Sequence, residues 1–325
     1  MIALADGVLT ASRTMSGASS PFWHQPVMGA EVLGALRPCP GAVIVDGTAG
    51  MGGHSLRILP HLLPNGRLVA IDRDRAALDL ARQRLAEFAP QVTCIHEDYR
   101  HLPAILKDLG ISGVDGLLLD LGISSLQVDR AERGFSFSKE GPLDMRMDLQ
   151  EARTAEAIVN DSTADELAAI LETLGEERYA RRIARRIVQE RRERPLLTTT
   201  QLAHLVTAAV PPPARHGRLH PATRTFQALR LAVNDELGAL EELLGCFGEL
   251  LNPGARAVIL TFHSLEDRLV KRAFRQGARE GRWAVQTKKP MRPSPEEVAQ
   301  NPRARSAKLR AIEQYPANSR GSEAI

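Results

Sequence analysis

Two hydrophobic rhythms alternate along this chain. Ala42–Asp46 is a short apolar run that ends in an acid and a glycine-rich stretch, which predicts a buried strand. His54–Leu63 then reads as a helix stopped by Pro64-Asn65-Gly66. Arg67–Asp72 is a second buried strand, and Arg75–Phe88 carries apolar residues at helical spacing. Gln91–His96 is a third strand and Asp115–Leu119 a fourth, ending at Asp120. Strands that alternate with helices predict a parallel sheet covered on both faces, an α/β fold of the doubly wound, Rossmann-like kind.

The rhythm changes near Gln127. From Thr154 to Val210 the signals are helical, with Thr163 and Glu166 at capping-box spacing. Thr225–Leu251 reads as one long helix, Asn252-Pro253-Gly254 as a turn and Ala255–Phe262 as a fifth strand. Leu265–Gln276 is a helix again, and Trp283–Thr287 and Lys308–Ile312 are weaker strand signals around a proline-rich loop, Lys289–Pro302. The pattern divides the chain into a mobile tail (1–20), a core domain (21–128 and 226–325) and an inserted helical domain (129–225). No apolar run is long enough for a membrane-spanning helix.

Length and composition alter this picture little: 325 residues, 43% hydrophobic and 25% charged, are ordinary for a globular chain. Three scattered cysteines, Cys39, Cys94 and Cys246, argue for a reducing cytoplasm and against disulfides or zinc. His216 and His220, four apart, lack a third ligand nearby, so no metal site is expected. The net charge is only +3, yet Glu177–Arg194 holds eight arginines against three glutamates. Its apolar positions, Ala180, Ile183, Ala184, Ile187 and Val188, mark one helical face. The arginines fall mostly elsewhere, as on a surface for a polyanion or on a solvated helix.

The candidate chemistry begins after the first strand, in Asp46-Gly47-Thr48-Ala49-Gly50-Met51-Gly52-Gly53-His54. Glycines at this density let a ligand approach the backbone at the carboxyl end of a parallel sheet. A phosphate-binding P-loop would need Gly-Lys-Ser/Thr where Gly53-His54-Ser55 stands. The dinucleotide fingerprint fails at Ser55. Asp46, at the strand tip, suits a cationic sulfonium and amino group better than a pyrophosphate. Asp72 ends the second strand, where a carboxylate accepts ribose hydroxyls of NAD or S-adenosylmethionine alike. Tyr99 follows the third strand, placed to stack on adenine or to pack in the core. Asp120, Ser124, Ser125 and Gln127 follow the fourth strand, where cofactor or acceptor would be met.

Taken together, Gly52-Gly53-His54-Ser55, Ala70-Ile71-Asp72-Arg73-Asp74, Leu118-Leu119-Asp120-Leu121-Gly122-Ile123-Ser124-Ser125 and Glu132-Arg133-Gly134-Phe135-Ser136-Phe137 carry a resemblance. So do Gly141-Pro142-Leu143-Asp144-Met145-Arg146, His220-Pro221-Ala222-Thr223-Arg224, Thr261-Phe262-His263-Ser264-Leu265-Glu266 and Asn301-Pro302-Arg303-Ala304-Arg305-Ser306. The chain resembles the bacterial RsmH (MraW) family of ribosomal RNA cytosine-N4 methyltransferases over about residues 22–314. The resemblance implies a class I S-adenosylmethionine-dependent fold, with S-adenosyl-L-methionine as cofactor and one cytidine in the decoding region of 16S rRNA, in the small ribosomal subunit, as substrate. It places cofactor contacts on Gly52, Gly53, His54, Asp72, Tyr99, Asp120 and Gln127. It implies no membrane partner and leaves open a homodimer.

In-line transfer to an exocyclic amine asks for an acceptor on the amine hydrogens, a role assigned to Asp120. It also asks for a planar surface for the extruded base, for which Phe135, Phe137 and His263 are the candidates. A same-fold enzyme acting on another nucleic-acid amine, or a non-catalytic nucleoside-binding assembly factor, are the competing readings.

Overall fold

The computed structural model describes residues 25–217 and 219–316; the expected tail over 1–20 lies outside them. In chain order the elements are α1 (Gly29–Leu36), β1 (Val43–Asp46), α2 (Gly53–Ile58), β2 (Arg67–Asp72), α3 (Arg75–Arg84), β3 (Val92–His96), α4 (Leu102–Asp108), β4 (Val114–Asp120) and α5 (Ser125–Asp129). The helices α6 (Ala155–Asp161), α7 (Ala164–Gly175), α8 (Ala180–Arg191), α9 (Thr199–Ala209), α10 (Thr223–Asn234) and α11 (Glu236–Leu250) follow. The chain closes with β5 (Leu251–Thr261), α12 (Ser264–Arg279), β6 (Trp283–Val285), α13 (Pro295–Gln300) and β7 (Lys308–Gln314).

Seven strands form one sheet in the order β3-β2-β1-β4-β5-β7-β6. The first five are mutually parallel, and β7 runs antiparallel between β5 and β6. Alternate strand residues feed opposite faces. Ile44, Leu68, Leu118 and Val258 pack with Val32 and Leu36 of α1 and with Ile58, Leu59 and Leu62. Val45, Val69, Leu117, Leu119 and Ile259 pack with Leu240, Leu243 and Phe247 of α11, Phe274 of α12 and Trp283. This is the doubly wound architecture the strand–helix rhythm predicts. Among the described residues no helix is long and apolar enough to cross a membrane.

A third cluster is built mainly from helices, with Ile158, Leu167, Leu171, Ile183, Ile187, Leu202 and Val206, joined by Phe135, Leu143 and Met145 of the preceding loop. The buried face of α8 is Ala180, Ile183, Ala184 and Ile187, as its apolar spacing predicts. Thr163 and Glu166 do close a capping box on α7.

Four local readings need correction. The helix expected over Thr225–Leu251 is two helices, because Asp235 takes a left-handed conformation with φ 46°. The carbonyl of Asn234 accepts from Arg73 Nη1 at 2.7 Å and that of Asp235 from Arg100 Nη2 at 3.1 Å, so core arginines satisfy backbone groups that a continuing helix would have used. Phe226, Ala228, Leu229 and Val233 of α10 pack in the helical cluster, so the division expected between 225 and 226 falls inside this helix. The turn expected at Asn252-Pro253-Gly254 lies within β5 as a register irregularity, where Leu251 pairs with Val114 and Arg256 with Gly116. The helix expected to Leu63 ends at Ile58 and tightens into a 3₁₀ turn over Leu59–His61, where Pro60 offers no amide hydrogen.

Candidate active site

The carboxyl ends of β1, β2, β3 and β4 open into one cleft of about 460 Å³, large enough for a nucleoside-sized ligand. The loop after β1 forms its floor. Gly50 (φ 51°) and Gly52 (φ 77°) adopt left-handed conformations that let the chain double back into α2. Gly47 is bare because a Cβ there would meet Leu119 Cδ2 at 2.6 Å. Gly47, Gly50, Gly53 and His54 line the cleft. Gly52 sits behind the loop: its amide donates to Ala49 O at 2.7 Å, and a Cβ would point at Ala81 and Leu85.

Three acids end three adjacent strands, and the structure gives them different work. Asp46 does not face the cleft. It is 1% exposed and accepts Ser55 Oγ at 2.7 Å and the Thr48 amide at 3.3 Å, so it braces the loop and does not meet a cation. Burial raises its carboxyl above the usual range against the opposing pull of Ser55 and His54. Asp72 lines the cleft. Its oxygens accept the amides of Gly50 and Asp74, each at 2.7 Å, which ties the glycine loop to the tip of β2. Burial pushes its carboxyl up to about 7, against those two hydrogen bonds.

Asp120 lines the cleft at the end of β4, and its amide donates to Thr48 Oγ1 at 2.6 Å. Its Oδ2 lies 3.5 Å from His54 Nε2. Its Oδ1 and that His54 nitrogen are buried without a hydrogen-bond partner among the described residues.

On the β3 side Tyr99 lines the cleft and donates to the Glu236 carbonyl at 3.4 Å. Enclosure, then the charges of Asp98, Glu236 and Glu266, push its phenol well above the usual range, so the ring is neutral. Gln127 lines the cleft too, but both its polar ends are engaged. Its Oε1 accepts the Ser124 amide at 2.9 Å in a capping box, and its Nε2 donates to Asp74 Oδ2 at 2.9 Å. Its contribution to a ligand is shape.

Asp74 is the hub that joins this cleft to the helical part. One oxygen caps α3 through the amides of Ala76 and Ala77; the other accepts Gln127 and, at 2.8 Å, Arg133 Nη1. Arg133 in turn donates to the carbonyls of Arg146 and Met147, both at 2.9 Å. Asn234 closes the knot by accepting the Met147 amide and donating to Met145 O, each at 2.7 Å.

The planar candidates from the sequence do not line the cleft. Phe135 is buried in the helical cluster, and Phe137 packs against His220 and Phe226 at ring separations of 4.6 and 4.8 Å. His263 caps α12. The cleft instead has Phe262, one residue earlier. Asp98, the Arg230–Glu236 pair (2.7 Å) and Arg303 also line it; the first two escaped the sequence reading, and Arg303 entered it only within the Asn301–Ser306 motif. Asp98 could have been found, as an acid at the third strand tip beside Tyr99. The Arg230–Glu236 pair could not, because it depends on the break at Asp235. Among the described residues no group of three or more His, Cys, Asp or Glu side chains could hold a metal.

The model of the MraW methylase family matches residues 21–315. The ribosomal RNA small subunit methyltransferase H of Geobacter sulfurreducens is 50% identical over 307 residues, covering 90% of this chain and 99% of that protein. The protein of the same name from Heliobacterium modesticaldum is 47% identical over 308 residues, covering 90% of this chain and 98% of its own length. That from Syntrophotalea carbinolica is 50% identical over 306 residues, again covering 90% and 98%.

Proposed function

The chain belongs to the MraW methylase family, and from that premise we propose that it methylates the N4 amine of one cytidine in the decoding region of 16S rRNA, in the cytoplasm. The observation that carries the reading is Asp120: a strand-tip carboxylate in the cleft with one oxygen left unpartnered among the described residues, beside the glycine loop. When bound, S-adenosylmethionine supplies the methyl group on a sulfonium. The residues present fit it. The loop Gly47–Gly53 offers bare backbone to the amino-acid end, Asp72 an acceptor for ribose hydroxyls, and Tyr99 with Asp98 a face and an acceptor for adenine.

Asp120 then has the catalytic task. A cytosine amine nucleophile is weak because its lone pair is delocalised into the ring. An acceptor on one amine hydrogen lets the nitrogen pyramidalise, and the Asp120 carboxylate, part-exposed at the cleft, is placed to be that acceptor. His54 Nε2 lies 3.5 Å from its Oδ2. Attack by nitrogen needs no covalent enzyme intermediate, so no cysteine is required; Cys39, Cys94 and Cys246 line no part of the cleft.

The basic face of α8 supplies a backbone contact for RNA. Arg182, Arg185 and Arg192 are exposed and make no ion pair among the described residues. Arg181, Arg186 and Arg194 are held by Glu172 and Glu190. The helical part is thus the substrate-recognition insert.

The test is methyl incorporation from labelled S-adenosylmethionine into small subunits, with mass spectrometry of the rRNA nucleosides. Asp120→Asn should lower turnover by ~10²-fold or more, the usual worth of a positioned proton acceptor. S-adenosylhomocysteine should still bind. Full turnover by a folded D120N protein removes Asp120 from the role.

A further inference from the structure

We propose that Phe262 is the platform on which the extruded cytosine stacks, a subsite on the β5 side of the cleft; the inference rests on the substrate class proposed above. In the parallel register of β4 and β5, Asp120 pairs with Leu260. Phe262, two residues further, therefore stands level with Gly122, and it lines the same cleft as the acceptor carboxylate. Gly122 has φ 100°, and a Cβ there would have a single neighbour within 4 Å among the described residues, Phe262 Cδ2 at 3.7 Å. A side chain at 122 would lie against the ring; glycine leaves it uncovered.

The ring is also aimed. The Phe262 amide donates to Glu266 Oε2 at 2.8 Å and the His263 amide to the same oxygen at 3.3 Å, while the Glu266 amide reaches back to His263 Nδ1 at 3.4 Å. Glu266 is buried. Burial would raise its carboxyl, but His263, then Arg230 and the Phe262 amide, outweigh that and keep it below its usual value, ionised to accept both amides. The reciprocal cap fixes the backbone on either side of Phe262, and the rest of the ring packs on the cluster under α1. The Thr261–Glu266 motif is accounted for in this way: the histidine and glutamate set the angle of the phenylalanine.

Tyr99 after β3 and Phe262 after β5 flank the cleft from opposite sides of β1 and β4. One ring is then available for the adenine of the cofactor and the other for the substrate base. A base taken out of its stack recovers that energy on an aromatic face.

The test compares Phe262→Leu and Phe262→Met, which keep bulk but lose the plane, with Phe262→Trp, which keeps the plane. Substrate is the small subunit from cells lacking the enzyme. We expect F262L and F262M to lose roughly ten- to hundredfold in kcat/KM for subunits, the worth of one base stack. F262W should stay near wild type, and all three should bind S-adenosylhomocysteine with unchanged affinity in calorimetry. The platform is overturned if F262L or F262M methylates as well as wild type, if F262W is as impaired as they are, or if their loss tracks a loss of S-adenosylhomocysteine affinity. A wild-type protein that binds S-adenosylhomocysteine yet methylates no subunit overturns the substrate class, and the platform with it.

Discussion

Replacing Asp72 by Asn separates what this carboxylate costs the empty protein from what it gives the ligand. Burial raises its carboxyl from 3.8 to about 7, with Asp74 and Asp46 adding smaller pushes in the same direction and the Gly50 and Asp74 amides opposing. The folded protein therefore keeps a proton that the unfolded chain releases between these two values. Stability from this group is complete below pH 3.8 and is lost as pH rises through 7. At 1.36 kcal/mol per unit, the ionised carboxylate costs the fold about 4 kcal/mol at pH 8 and below ~1 kcal/mol at pH 4. Asn never ionises, but it accepts only one of the two amides, Gly50 and Asp74, and loses about 1–3 kcal/mol for the other.

The ligand-free D72N protein should then be more stable than wild type at pH 8, by about 1–3 kcal/mol, and equal or less stable near pH 4–5. Calorimetric melting of both proteins from pH 4.5 to 8.5 reads the crossing directly. Binding should move the other way, because ribose hydroxyls donate best to a charged acceptor. S-adenosylhomocysteine affinity in wild type should rise with pH up to about 7 and then level, while D72N binds roughly 10- to 100-fold more weakly with no such rise. Parallel melting curves across the range, or wild-type affinity in D72N, refute the assignment of a strained, ligand-facing carboxylate.

Three further outcomes follow from the packing. Arg133→Met leaves Asp74 charged and 2% exposed with one donor fewer, and releases the Arg146 and Met147 carbonyls; a loss of about 3–5 kcal/mol is expected in denaturant unfolding, and near-wild-type stability would show that the hub carries no load. Gly277→Ala puts a Cβ 2.0 Å from Trp283 Cζ2 in the core between α12 and β6, and should cost about 1–3 kcal/mol by overpacking, visible as a lower melting temperature with ligand affinity unchanged. The triple change of Arg182, Arg185 and Arg192 to Ala should weaken RNA binding and flatten its salt dependence, by ~0.7 in log–log slope for each phosphate no longer neutralised, while leaving S-adenosylhomocysteine binding intact; an unaltered slope would remove α8 from the RNA surface.

The strands were legible because a parallel strand covered on both faces must be apolar throughout, and each here ends in a polar residue that marks the carboxyl edge. The capping box on α7 and the buried face of α8 were legible for a similar reason: both are local, set by residues three or four apart. What escaped depends on partners far along the chain. The break at Asp235 is held by Arg73 and Arg100, more than 130 residues away. Helix α1 follows Met28, whose amide donates to Glu297 at a sequence separation of 269. Asp46 was misassigned because a strand-tip acid looks the same whether it faces a ligand or, as here, is satisfied from behind by Ser55.

The same distinction explains why the site reads as one device. Asp72, the proposed ribose acceptor, takes the Asp74 amide; the Asp74 carboxylate takes Arg133; Arg133 holds the Arg146 and Met147 carbonyls; and Met147 lines the cleft while its amide is fixed by Asn234 at the end of α10. Each link is between 2.7 and 2.9 Å, and most are buried. A buried ion pair of this kind is poor as a source of stability, since apolar residues of equal volume would often do as well. Its value lies in direction. The acid proposed to receive the cofactor and the Met147 loop that borders the cleft are held in one register, which on the proposed function would set the in-line approach of an amine before RNA arrives.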